Sequence, residues 1–131
     1  MSEVVATNET ILVVGGGISG MTAALEAAET GKQVVLVEKR PYLGGRVSQL
    51  YKYFPKLCFP TCGLEINQRR AKMNPNLTVV TMAEVTDIKG EKGSYTATVK
   101  ISPRYVNENC TACGECEKAV EAEFDDEYNY G

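Results

Sequence analysis

The chain has 131 residues, enough for one domain with a modest core or for a piece of something larger. A net charge of -3 and 44% hydrophobic content are those of an ordinary soluble protein, so the balance implies neither a nucleic-acid partner nor a membrane surface. The acidity belongs to the end of the chain: residues 117 to 131 hold six acids against Lys118, a net -5, which leaves +2 for everything before them.

Met1 to Glu9 is polar and predicts an amino-terminal tail, with no basic leader or apolar core of a secretory signal. The longest uncharged stretch, Thr10 to Leu25, is 16 residues with four glycines. That falls short of the roughly 20 apolar residues that cross a bilayer, so no direct membrane span is expected. The expectation is a cytoplasmic protein, able to sit on a membrane-embedded partner.

From Thr10 the pattern becomes regular. Ile11, Leu12, Val13 and Val14 predict a parallel strand buried on both faces. Gly15-Gly16-Gly17-Ile18-Ser19-Gly20 follows and matches G-x-G-x-x-G through Gly15, Gly17 and Gly20. In that motif the first glycine allows the tight turn, the second lets backbone approach a pyrophosphate, and the third lets the helix pack on the strand. The free amides opening the helix, those of Ile18 and Ser19 among them, and its dipole favour an anion. Met21, Ala24, Leu25 and Ala28 recur at helical spacing, and Thr30-Gly31 is a stop signal. Val34 to Val37 is a second strand. Glu38 closes it, 18 residues after Gly20, where a carboxylate accepts hydrogen bonds from a ribose diol. A strand, turn, helix, strand and terminal acid together predict a dinucleotide-binding Rossmann-like βαβ half.

Gly44-Gly45-Arg46 comes soon after the second strand. Paired glycines bring backbone close to the same pyrophosphate from its other side, with Arg46 offsetting its charge. This tilts the ligand toward flavin adenine dinucleotide (FAD). Val47 to Met73 is polar and broken by Pro55 and Pro60, with Cys58 and Cys62 around the second break. These prolines argue against a helix at the cysteines. A short helix is expected over Leu64 to Lys72, its Arg69 and Arg70 on a solvated face. Asn74-Pro75-Asn76 is a turn, Leu77 to Thr81 a third parallel strand, and Glu84 to Lys89 with Ser94 to Ile101 an antiparallel hairpin around Gly90 to Gly93. Tyr95, Ala97 and Val99 share one face of it. A boundary near Ile101 separates an FAD-binding portion, residues 10 to 101, from residues 102 to 131.

In that last segment Cys110, Cys113 and Cys116 form C-x-x-C-x-x-C, the opening of a bacterial ferredoxin loop. The pattern then fails, because Val120 and Glu121 stand where a fourth cysteine and a proline belong. The readings are an iron–sulfur cluster with its fourth ligand from Cys58, Cys62 or a partner, a zinc site, or an empty loop of free thiols. Cys58 and Cys62 also read as a redox pair. Five cysteines close together without an export signal favour metal or redox work over structural disulfides. The six acids after residue 116 predict disorder, although Val120, Phe124, Tyr128 and Tyr130 are able to dock on a further domain.

The order of these pieces resembles the amino-terminal part of the heterodisulfide reductase A family. It rests on Val13 to Gly20, Val37-Glu38-Lys39, Gly44-Gly45-Arg46, Phe54-Pro55, Glu84 to Gly90, and Pro103 to Val106 ahead of Cys110. The lost fourth cysteine makes it more similar to the corresponding polypeptide of the quinone-interacting membrane-bound oxidoreductase. The resemblance implies a polypeptide with flavin and iron–sulfur centres in a multisubunit electron-transfer complex of anaerobic metabolism. By position it implies that Gly15, Gly17 and Gly20 hold the pyrophosphate and Glu38 the ribose, with Lys39, Gly45 and Arg46 near the cofactor. It assigns Cys110, Cys113 and Cys116 as three cluster ligands. Members of that family are much longer, so a fragment inactive in isolation is expected. The alternatives are a non-catalytic assembly module with this fold, and an NAD-binding fragment.

Overall fold

A computed structural model describes residues 10–123. The polar tail expected over residues 1 to 9, and the aromatic anchors Phe124, Tyr128 and Tyr130, lie outside the described residues.

The apolar run β1 (Thr10–Val14) leads into α1 (Ile18–Glu29) and then β2 (Gln33–Val37). The predicted face of α1 is its buried face: Met21, Ala24, Leu25 and Ala28. Two alanines there let the helix lie close on the sheet. The helix stops where Gly31 takes a φ of 89° and donates its N–H to Ala28 O at 3.0 Å.

After a 3-10 turn over Gly45–Gln49 comes α2 (Thr61–Met73), followed by β3 (Leu77–Val80). α2 starts earlier than the sequence reading allows. Pro60, at φ -64°, caps it instead of blocking it, because proline lacks only an N–H that a first turn leaves unpaired. Cys62 therefore stands on the first helical turn. Arg70 is not simply solvated either. Its guanidinium hydrogen-bonds Glu29 at 2.8 Å and Glu26 at 2.8 Å, tying α2 to α1.

The sheet is parallel throughout, in the order β1-β2-β3. β2 is central, and Val34, Leu36 and Val37 are buried. The expectation that β1 is buried on both faces fails: Ile11 and Val14, which point to opposite faces, are 40% and 61% exposed, and of β1 only Val13 packs against the core. The core joins α1 and β2 to Leu64 of α2 and Leu77 of β3.

The hairpin is β4 (Ala83–Glu91) with β5 (Ser94–Ile101), turning at Lys92-Gly93. Its first strand runs two residues further toward the turn than expected. A register shift between Val85 and Asp87 bulges Thr86 out of the pairing. Ala97 and Val99 are half-buried and Tyr95 is exposed. The root of the hairpin is fixed to the end of β2, with Ala83 N–H donating to Glu38 O at 2.9 Å and Met82 N–H to Arg40 O at 3.1 Å. A single turn, α3 (Glu115–Lys118), follows the cysteine loop.

Candidate dinucleotide site

The site grows from the end of β1. Gly15 N–H donates to Val37 O at 2.8 Å, extending the ladder one residue past the strand, and a φ of 101° then turns the chain. Gly17 caps α1 with φ -70° and ψ 179°. The first intrahelical bond is Met21 N–H to Gly17 O at 2.9 Å, so the amides of Ile18, Ser19 and Gly20 precede the helical ladder. No acid and no side-chain cap stands in the first turn of α1. The positive end of the helix thus meets no charge of its own.

The glycines at positions 17 and 20 differ in what surrounds them. A Cβ at Gly20 would stand 1.8 Å from Gly15 O, so this position brings helix and turn into contact. A Cβ at Gly17 would meet no protein atom within 4 Å. Gly17 faces open space on the side of the helix start, which leaves backbone there free to approach a ligand.

The second glycine pair docks on the first. Gly44 N–H donates to Gly16 O at 2.8 Å, Gly44 bridges Gly17 in parallel, and a Cβ at Gly45 would come within 3.1 Å of Gly17 Cα. From below, Leu64 of α2 supports the pair, its Cδ1 being 3.1 Å from where a Gly44 Cβ would lie. The sequence placed the Gly44-Gly45 pair beside the pyrophosphate but assigned no site contact to Gly16 or Leu64. The triple glycine is the signal that marks Gly16; nothing local marks Leu64.

Glu38 points at the same turn. Gly16 N–H donates to Oε2, and Arg40 N–H donates to Oε1 at 2.8 Å. Each carboxylate oxygen keeps further acceptor capacity for a ligand hydroxyl. Lys39 turns outward, its ammonium 3.1 Å from Glu84 of β4. Arg40 lies against Tyr42, donating to its hydroxyl at 2.8 Å. Arg46 is exposed on the 3-10 turn and forms no ion pair among the described residues.

Cys110, Cys113 and Cys116 are free and exposed. Left-handed conformations at Ala112 (φ 54°) and Gly114 (φ 79°) curl the loop between them. Three thiolates suit three corners of a cluster or metal site. Among the described residues no three Cys, Asp or Glu side chains converge at metal-binding distance. Cys58 is half-buried and Cys62 exposed, both as free thiols. Among the described residues no helix is long and apolar enough to cross a membrane.

Two interlocked glycine turns at one helix start, faced by an acid across the sheet, define a dinucleotide-binding βαβ unit. The profile of FAD dependent oxidoreductases matches residues 10–117, and the chain belongs to that family. It is 41% identical over 121 residues to the second of two iron-sulfur A polypeptides of the CoB--CoM heterodisulfide reductase of Methanopyrus kandleri, covering 92% of this chain and 18% of that protein. Against the A polypeptide of the Ferredoxin:CoB-CoM heterodisulfide reductase of Methanosarcina acetivorans it is 38% identical over 124 residues, covering 92% and 16%. These relatives bear out the resemblance read from sequence; the chain spans less than a fifth of their length.

Solved structures with the same fold include L-proline dehydrogenase from P. horikoshii, with TM-score 0.58 and 22% identity over 71% of this chain and 20% of that one. Thioredoxin reductase from T. acidophilum gives 0.53 and 23% over 70% and 30%.

Proposed function

We propose that this chain is the FAD-binding portion of a heterodisulfide reductase A-like polypeptide that passes electrons within a multisubunit complex. The observation that carries it is the Gly44–Gly45 turn stapled onto the Gly15–Gly20 turn beside an open cradle at Gly17. Gly15, Gly17 and Gly20 shape the cradle, and the amides of Ile18 and Ser19 donate to the pyrophosphate. Glu38 takes the ribose hydroxyls. Gly45 closes the other side, with Arg46 adding positive charge at the rim; Lys39, paired outward with Glu84, contributes little there. Bound FAD supplies the redox chemistry, while these residues bind, orient and electrostatically balance it.

Cys110, Cys113 and Cys116 supply three ligands of an iron–sulfur cluster, the fourth coming from elsewhere in the assembly. Its partners are the other components of a cytoplasmic electron-transfer complex, one able to attach to membrane proteins.

The test is anaerobic reconstitution of the purified chain with FAD, iron and sulfide. Retained flavin with visible bands that bleach on reduction, together with iron lost in Cys113→Ser, is the expected result. A full-length gene product that retains neither flavin nor iron is instead an assembly module; protection by NADH but not FAD makes this chain a nicotinamide-binding fragment.

A further inference from the structure

The segment between the 3-10 turn and α2 serves neither the glycine cradle nor the cysteine loop, yet it carries a dense group of exposed apolar side chains. Tyr51, Phe54 and Leu57 are 72%, 87% and 64% exposed, and Leu50, Tyr53 and Phe59 lie beside them in sequence, each at least 44% exposed. Large apolar side chains gathered in the open in this way mark interaction sites.

The segment is also held in shape. Tyr53 N–H donates to Cys58 O at 3.3 Å, Leu57 N–H donates to Tyr53 O at 2.9 Å, and Tyr51 meets Phe59 edge to face at 5.1 Å. Lys52 Nζ lies 5.3 Å from the Tyr51 ring centroid and 5.4 Å from that of Phe59. A knob already folded loses little freedom on binding.

Its charge says what it binds. Within Leu50 to Phe59 the charged residues are Lys52 and Lys56, and no acid occurs anywhere from Lys39 to Leu64. Lys52 and Lys56 form no ion pair among the described residues. Aromatic side chains with cations beside them match an interface whose partner has an apolar centre and an acidic rim.

We infer that Leu50 to Phe59 is a docking knob for an acidic protein surface. The inference does not rest on the FAD reading, since the glycine cradle uses none of these residues.

The test uses the whole chain with a fluorescent random copolymer of glutamate and tyrosine, titrated by anisotropy at low salt. Binding is expected to weaken about tenfold in Lys52→Glu/Lys56→Glu and about fivefold in Phe54→Ser. A control, Lys92→Glu/Lys100→Glu on the hairpin, is expected to change it less than about twofold. FAD affinity and circular dichroism, measured on every variant, stay at wild-type values, which separates failure here from failure of the cofactor reading. Equal losses in both double variants would reduce the effect to bulk charge and overturn the inference. So would tighter binding of oligothymidylate than of the copolymer, a wild-type dimer that Phe54→Ser dissociates, or a carbodiimide cross-link joining Lys52 to an acid of residues 117 to 131.

Discussion

At Gly17 an added methyl group meets no protein atom within 4 Å, whereas at Gly20 it stands 1.8 Å from a backbone oxygen. The two positions therefore separate binding from folding. Gly17→Ala is expected to leave urea unfolding unchanged within about 0.5 kcal/mol. It should weaken FAD binding about tenfold or more, read by quenching of flavin fluorescence. Gly20→Ala is expected to lose about 3 kcal/mol or more of stability, because backbone must move to admit it. Glu38 gives a third contrast. Its two oxygens each accept a backbone N–H, from Gly16 and Arg40. Glu38→Gln turns one acceptor into a donor facing a donor, so a loss of about 1–3 kcal/mol should accompany weaker FAD binding. Equal FAD affinity in wild type and Glu38→Gln would remove this carboxylate from the site.

Among the elements, α2 supports the site from beneath. Leu64 is its buried residue, and it supports Gly44 from beneath. Leu64→Ala is expected to lower stability by about 2–5 kcal/mol and also to loosen FAD, because the second glycine turn loses its floor. The other end of α2 is tied to α1 by Arg70. Its hydrogen bond holds the Glu29 carboxyl below the usual 4.5, and Glu29 in turn raises the Arg70 guanidinium above its ordinary value. A depressed carboxyl pKa contributes stability above its unfolded value and loses it as pH falls through the lower folded value. The difference in thermal midpoint between wild type and Arg70→Gln should therefore be steady above pH 4.5 and shrink toward zero with further acidification. The exposed setting of this pair keeps the difference small even at neutral pH.

For the molecule as a whole, cofactor and fold are linked. A ligand that binds only the folded state adds about 2.7 kcal/mol at a hundred times its dissociation constant. Saturating FAD should raise the melting temperature of wild type by several degrees, and that of Gly17→Ala by much less. β1 is also where sequence and structure diverge most: Ile11 and Val14, on opposite faces, are 40% and 61% exposed. Four apolar residues in a row signal a strand, but which faces are covered depends on the helices and loops that pack on the sheet, which no local pattern states.

Residues close in sequence were enough for much of this protein. The periodicity of Met21, Ala24, Leu25 and Ala28, the spacing of Gly15, Gly17 and Gly20, the Gly44-Gly45 pair and the alternation of the hairpin are short-range patterns. Each is set by backbone sterics and by which face must leave water, so each is legible in the order of the residues alone. The tertiary structure decided what long separations bring together. Gly44 lies on Gly16, Glu38 accepts the Gly16 N–H, Leu64 sits under Gly44, and Arg70 joins Glu26 and Glu29. Those contacts depend on how helices and strands stack around a shared core, and no local pattern encodes that arrangement.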